Sequence, residues 1–343
     1  MMATVVVICP GRGTYNATEL GYLGRHFPDP QLLARFDAQR EAAGQETLTE
    51  LDGAERFSMG KHTRGDNASG LIFAASFGDF LAIDRSKIEI VAVTGNSMGW
   101  YSALACGGAV TPEAGFTVAN TMGTQMQQAL IGGQLIYPWV DTDWVPQPGR
   151  KAELLDLVAR IAGEADKQLF LSIDLGGMLV LAGNAAGLEA FEKSVEPVQQ
   201  RFPMRLANHA AFHTPLQEPV AASGRDRLPA SLFGQPKLPM IDGRGKIWNP
   251  GSTDIAELHA YTLGHQVTET YNFTHAVTVA AREFAPDLFV ILGPGTTLGG
   301  AVAQSLIQAS WRGLKDKEDF QARQGSNPLI VSMGMAEQRD LVA

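Results

Sequence analysis

Ile88-Glu89-Ile90-Val91-Ala92-Val93 runs almost directly into Gly95-Asn96-Ser97-Met98-Gly99, and a helical stretch, Trp100 to Ala105, follows at once. The β-branched run reads as a buried strand of a parallel sheet. The turn fits G-x-S-x-G, in which glycines on both sides of the serine let strand and helix approach without side-chain collision. The serine hydroxyl then stands at a helix N-terminus, where backbone N–H groups can stabilise a developing oxyanion. The bare pattern is short, and an ordinary serine-capped turn is the bland alternative. Strand, tight turn and helix in that order favour a nucleophile.

Working outward, Thr4 to Cys9 reads as another buried strand, ending in the glycine-rich turn Pro10-Gly11-Arg12-Gly13-Thr14. Asn67 to Leu81 has helical spacing. From Gly132 the texture changes. Leu135 to Val140 reads as a strand, Lys151 to Lys167 as an amphipathic helix, and Leu169 to Asp174 with Met178 to Ala182 as a hairpin around Leu175-Gly176-Gly177. A helix, Ala186 to Arg201, and a strand, Met204 to Ala207, complete a β-α-β-β-α-β order that suits a ferredoxin-like unit. Further on, Leu288 to Leu292 is a buried strand leading into Gly293-Pro294-Gly295. Lys315 to Pro328 is polar and loop-like, and Leu329 to Met333 a final strand. The expectation is an α/β fold: an α/β-hydrolase-like large subdomain with a parallel sheet (1–131 and 208–343) and an inserted ferredoxin-like small subdomain (132–207).

Of the 343 residues, 45% are hydrophobic and 18% charged, enough to bury a sizeable core. A net charge of −9, with acidic and basic residues dispersed, argues against nucleic acid as a partner. The two cysteines, Cys9 and Cys106, are far apart with no metal-ligand spacing, which points to a reduced, cytoplasmic protein. The start MMATVVVICPGRG lacks the cationic flank of a signal peptide. No apolar run approaches the roughly 18 residues of a membrane helix. Phosphate-loop and dinucleotide fingerprints are absent, the latter failing at its third glycine.

A serine nucleophile needs a base. Among the seven histidines, His213 in Ala210-Ala211-Phe212-His213-Thr214-Pro215 lies between small residues and a proline, which suggests a fixed loop. On position alone, His213 and nearby His209 both qualify. No Asp or Glu is placed as a third triad member, so a backbone carbonyl is the alternative orienting group.

These residues resemble a known family, the malonyl-CoA:acyl carrier protein transacylases and the related acyltransferase domains of polyketide synthases. Pro10-Gly11-Arg12-Gly13 is similar to the family's PGQG, and Gly95 to Leu104 to its GHSLGEYSAL. Ala211 to Leu216 resembles AFHTPLM, and Gly293-Pro294-Gly295 its GPG. The resemblance implies Ser97 as nucleophile and His213 as base. It implies an oxyanion hole from the backbone N–H groups of Arg12 and Met98, and Asn272 as the residue whose carbonyl orients the histidine. It also implies a ping-pong mechanism with CoA and the phosphopantetheine thiol of an acyl carrier protein as substrates, without a cofactor or metal.

The sequence departs from the family at the walls of the acyl pocket. The elbow histidine is Asn96 and the following glutamate is Trp100. In Met122-Gly123-Thr124-Gln125-Met126-Gln127-Gln128 the position of the carboxylate-binding arginine is Met122, which argues for an uncharged acyl group, because a buried carboxylate without a partner is costly. The motif glutamine is Arg12, an alternative carboxylate partner on another wall, so malonyl and uncharged acyl groups both stay open. Ser69 is assigned no role. Two further readings stand beside acyl transfer: a proofreading acyl-thioester hydrolase, and an inactive homologue that binds carrier proteins.

Overall fold

The computed structural model describes residues 2–343. Strands β1 (Ala3–Cys9) and β2 (Ile88–Gly95) pair in parallel at the centre of a six-stranded sheet. Val5 to Cys9 are fully buried, as expected for a strand covered on both faces.

The second sheet is antiparallel for most of its width. It contains β3 (Gly133–Pro138), β4 (Leu169–Leu175), β5 (Met178–Gly183) and β6 (Met204–Arg205). Chain order then returns to the first sheet with β7 (Met240–Ile241) and β8 (Ile247–Trp248). Strand β9 (Tyr271–Asn272) pairs in parallel with β4, giving the order β6-β3-β5-β4-β9. Finally β10 (Leu288–Ile291) and β11 (Ile330–Ser332) set the first sheet's order as β11-β10-β1-β2-β7-β8, all parallel except β7 with β8. The fold is mixed α/β, as the periodicities indicate.

Helix Gly65–Ala82 is apolar nearly all round and buried along most of its length. Its Asp79 is fully buried, pairs with Arg339 at 2.6 Å, and accepts from Tyr22 and from the N–H of Gly293. This network ties the loop after β10 to the helix; removing one partner would leave a buried charge.

Two elements differ from the expectation. The helix expected over 186–201 ends at Ser194, and the following Val195, Val198 and Phe202 pack onto the cluster around Leu135, Tyr137 and Phe191. The polar stretch expected as a loop contains the helix Lys317–Ser326. It buries no residue, and local contacts hold it: Asp316 caps it by accepting from the N–H of Asp319, and Arg323 pairs with Asp319 one turn away.

Candidate active site

Strand β2 delivers its chain into the elbow with Ser97 at φ +56°, a backbone region that costs a non-glycine residue about 1–2 kcal/mol. A Cβ on Gly95 would overlap the backbone of Gly99, and one on Gly99 would overlap the carbonyl of Cys9. The turn therefore closes only with glycine at both positions. Helix Gly99–Cys106 starts immediately, with every residue buried.

His213 is brought to the serine by the loop after β6, and it too holds positive φ, +56°. The loop is fixed by Thr214, whose hydroxyl donates to Ala211 O at 2.6 Å, and by Ser172, whose hydroxyl donates to Phe212 O at 2.7 Å. Nε2 of His213 lies 2.7 Å from the Ser97 hydroxyl. Its Nδ1 lies 2.6 Å from the main-chain carbonyl of Gln266. A carbonyl only accepts, so Nδ1 carries the proton and Nε2 of the neutral ring is free to accept from the serine. Burial pushes the His213 pKa down to about 4, with the Gln266 carbonyl opposing and His265 assisting. The imidazole is therefore neutral at pH 7, the form a general base requires.

Gln266 does more than orient the ring. Its side-chain amide donates to Ser97 O at 3.1 Å and its Oε1 accepts from the Tyr101 hydroxyl at 3.0 Å. It follows a π-helical turn, Tyr261–His265, a distortion frequent at functional sites. Tyr271 completes the cage: its ring lies 5.4 Å from that of His213 and its hydroxyl donates to Gly95 O at 2.6 Å.

Two cavities meet at Ser97, and Arg12 and Phe212 line both. The larger, about 380 Å³, opens over the second sheet between Ile173, Val180, Phe202 and Leu298. The smaller, about 10 Å³, is a crevice bounded by Met98, Gly123, Met126 and Val267. The main-chain N–H groups of Arg12 and Met98 donate to no acceptor among the described residues. No cluster of three or more His, Cys, Asp or Glu side chains able to hold a metal occurs among the described residues.

No protein-family model matches the chain. It is 23% identical over 237 residues to the malonyl CoA-acyl carrier protein transacylase of Bacillus subtilis, covering 69% of this chain and 71% of that protein. The crystal structure of malonyl-CoA:acyl carrier protein transacylase from Xanthomonas oryzae superposes with a TM-score of 0.75 over 100% of both chains at 19% identity. A malonyl-transacylase in complex with its type II polyketide synthase acyl carrier protein gives 0.69 at 18% identity, over 89% of this chain and 93% of that one. The resemblance holds: the chain has the fold of the malonyl-CoA:acyl carrier protein transacylases.

Within this transacylase fold the residues read from the sequence separate into those at the site and those elsewhere. Ser97, His213, Arg12 and Met98 converge. His209 does not reach the serine; its Nδ1 lies 2.8 Å from Gln134 Oε1, and burial followed by the Arg12 charge holds its pKa well below the usual range. Asn272 is not the orienting residue. It ends β9, donates its N–H to Gly243 O at 2.7 Å, and caps helix Phe273–Glu283 by accepting from the N–H of His275 at 2.9 Å.

Two expected pocket walls are core. Met122 is fully buried with its sulfur toward Gly224, and lines neither cavity. The residues of that helix that line the crevice are Gly123 and Met126. Trp100 is also fully buried; its indole N–H donates to Thr262 at 3.0 Å and its ring meets Tyr261 edge-on. Asn96 lines the larger cavity, with its Oδ1 lacking a hydrogen-bond partner. Ser69, given no role, lines the crevice.

Gln266 and Tyr271 were not found by sequence reading. A carbonyl contributed by the main chain leaves no side-chain signature.

Proposed function

We propose that the protein transfers an acyl group from a CoA thioester to the phosphopantetheine thiol of an acyl carrier protein, through an acyl-serine. The observation that carries this reading is the 2.7 Å contact between Ser97 and His213, with the tautomer of His213 fixed by Gln266 O. The names of the similar proteins, all malonyl transacylases, support it.

In the first half-reaction the Ser97 oxygen attacks the thioester carbonyl and its proton passes to Nε2 of His213. The tetrahedral oxyanion takes the free N–H groups of Arg12 and Met98, which gain most as charge develops. Collapse breaks the carbon–sulfur bond, and the imidazolium returns the proton to the CoA thiolate. The carrier thiol then repeats these steps in the opposite direction: His213 takes its proton, the thiolate attacks the ester, and Ser97 recovers the proton. The CoA thioester and the carrier's phosphopantetheine thiol are the substrates, and the steps above draw on no further group.

The same proposal treats residues 132–207 as an inserted lobe on a catalytic lobe of 1–131 and 208–343. A separate apolar cluster, including Leu135, Leu154, Leu169 and Phe191, supports it. No helix among the described residues is long and apolar enough to cross a membrane.

The experiment is a chase. Acyl-enzyme formed from acyl-CoA is split between holo-carrier protein and buffer. Transfer to the carrier thiol at a rate far above hydrolysis is expected. Release of free acid at the same rate with and without carrier would make the protein a thioester hydrolase instead.

A further inference from the structure

We infer that Thr14 is a positioning residue for the oxyanion hole: its hydroxyl holds the Gly11–Arg12 peptide so that the Arg12 N–H faces the reacting carbonyl. This rests on the acyl-serine reading above and goes beyond it.

The Thr14 hydroxyl donates to Gly11 O at 2.9 Å, and Thr14 is buried. Gly11 O and the N–H of Arg12 belong to one planar trans peptide, in which carbonyl and N–H point in opposite directions. Fixing one end therefore aims the other. The same hydrogen bond polarises the peptide and makes its N–H a stronger donor. That N–H donates to no acceptor among the described residues, so it is open to an oxyanion. The peptide also lies against the elbow: a Cβ on Gly11 would come within 2.5 Å of Asn96 O, the residue before Ser97.

Thr14 is itself held from behind. Gly295, at φ +72°, packs so closely on it that a Cβ there would lie 2.3 Å from Thr14 O. The loop carrying Gly295 is clamped at Gly293, whose N–H donates to the buried Asp79 and whose carbonyl accepts from the Ser76 hydroxyl, both at 2.7 Å. Asp79 is paired in turn with Arg339. A packed path thus runs from the buried ion pair through Gly293-Pro294-Gly295 to Thr14 and the Arg12 N–H. Glycines flank Arg12 and give its turn little stiffness of its own, so this outside hold decides where the N–H points.

The test compares Thr14→Val, which keeps the shape and removes the donor, with Thr14→Ser, which keeps the donor. The full chain is acylated by malonyl-CoA and by acetyl-CoA at a temperature well below the Tm of each variant. The saturating rate of Ser97 acylation and the half-saturating donor concentration are read. Thr14→Val is expected to lower the rate about 10-fold, less than the roughly 100- to 1,000-fold that deleting an oxyanion donor costs. Half-saturation is expected to stay within about 2-fold, because the hydrogen bond acts on the transition state. The malonyl-to-acetyl ratio is expected to stay unmoved, since both carbonyls use the same hole; where one donor is inert, the rate with the other decides. Thr14→Ser is expected to keep most of the parental rate. Thr14→Val at the parental rate, or Thr14→Ser as slow as Thr14→Val, overturns the assignment. A shifted ratio does so too, by placing Thr14 against the acyl group. If Thr14→Val does not fold, Thr14→Ala against Thr14→Ser makes the same comparison. A parent that forms no adduct with either thioester overturns the acyl-serine reading itself, and this inference with it.

Discussion

The side-chain amide of Gln266 donates to the main-chain carbonyl of Ser97, while the main-chain carbonyl of Gln266 accepts from Nδ1 of His213. One residue thus sets the positions of nucleophile and base relative to each other. Replacing it by alanine keeps the carbonyl and removes the amide. Gln266→Ala is expected to lower kcat about 3- to 10-fold, the worth of one ordinary hydrogen bond. It should also lower Tm, since the Tyr101 hydroxyl loses its buried acceptor. Steady-state kinetics beside thermal unfolding separates the two effects.

The depressed pKa of His213 makes a pH prediction with a definite sign. Protonation removes the base, and the free enzyme resists it down to about pH 4. So kcat/KM is expected to stay level from pH 8 to about 5 and to fall below that. An acidic limb centred near 6.5, the ordinary histidine value, would contradict the burial described here.

The same group acts on stability. Between its unfolded value of 6.5 and its folded value of about 4, the unfolded chain binds the proton and the native chain does not. The contribution is complete above pH 6.5 and is lost as pH falls toward 4, by at most about 3 kcal/mol. Denaturant titrations at pH 7 and 5, on the parent and on His213→Ala, isolate it as the difference in pH dependence.

Asn272 and Met122 supply contrasts, because sequence reading put both at the site. Asn272→Ala removes a helix cap and is expected to cost about 1 kcal/mol of stability, with kcat within about 3-fold of the parent. Met122→Ala empties a core position and is expected to cost about 2–5 kcal/mol while leaving the malonyl-to-acetyl ratio unmoved. A large shift of that ratio would place Met122 back on the acyl wall.

The nucleophile elbow was legible because its chemistry depends on side-chain types at fixed spacing: two glycines that admit no Cβ, and a serine between strand and helix. The base was narrowed to two histidines by loop composition and resolved by family resemblance, in agreement with the geometry. The orienting carbonyl was misassigned from Tyr271-Asn272. Any residue supplies a carbonyl, and only the path of the chain through the π-helical turn brings that of Gln266 under His213. Met122 and Met126 share one helix face, so spacing alone does not tell which of them meets the cavity. The helix at 317–326 lacked an apolar stripe and was invisible to periodicity.

The most direct measurement is intact-protein mass spectrometry after brief exposure to malonyl-CoA, on the parent and on Ser97→Ala. A single adduct of malonyl mass on the parent, absent from Ser97→Ala and discharged by a pantetheine thiol, is the expected result. An adduct of the same yield on Ser97→Ala, or CoA release by the parent with no adduct at any time, would contradict the acyl-serine mechanism.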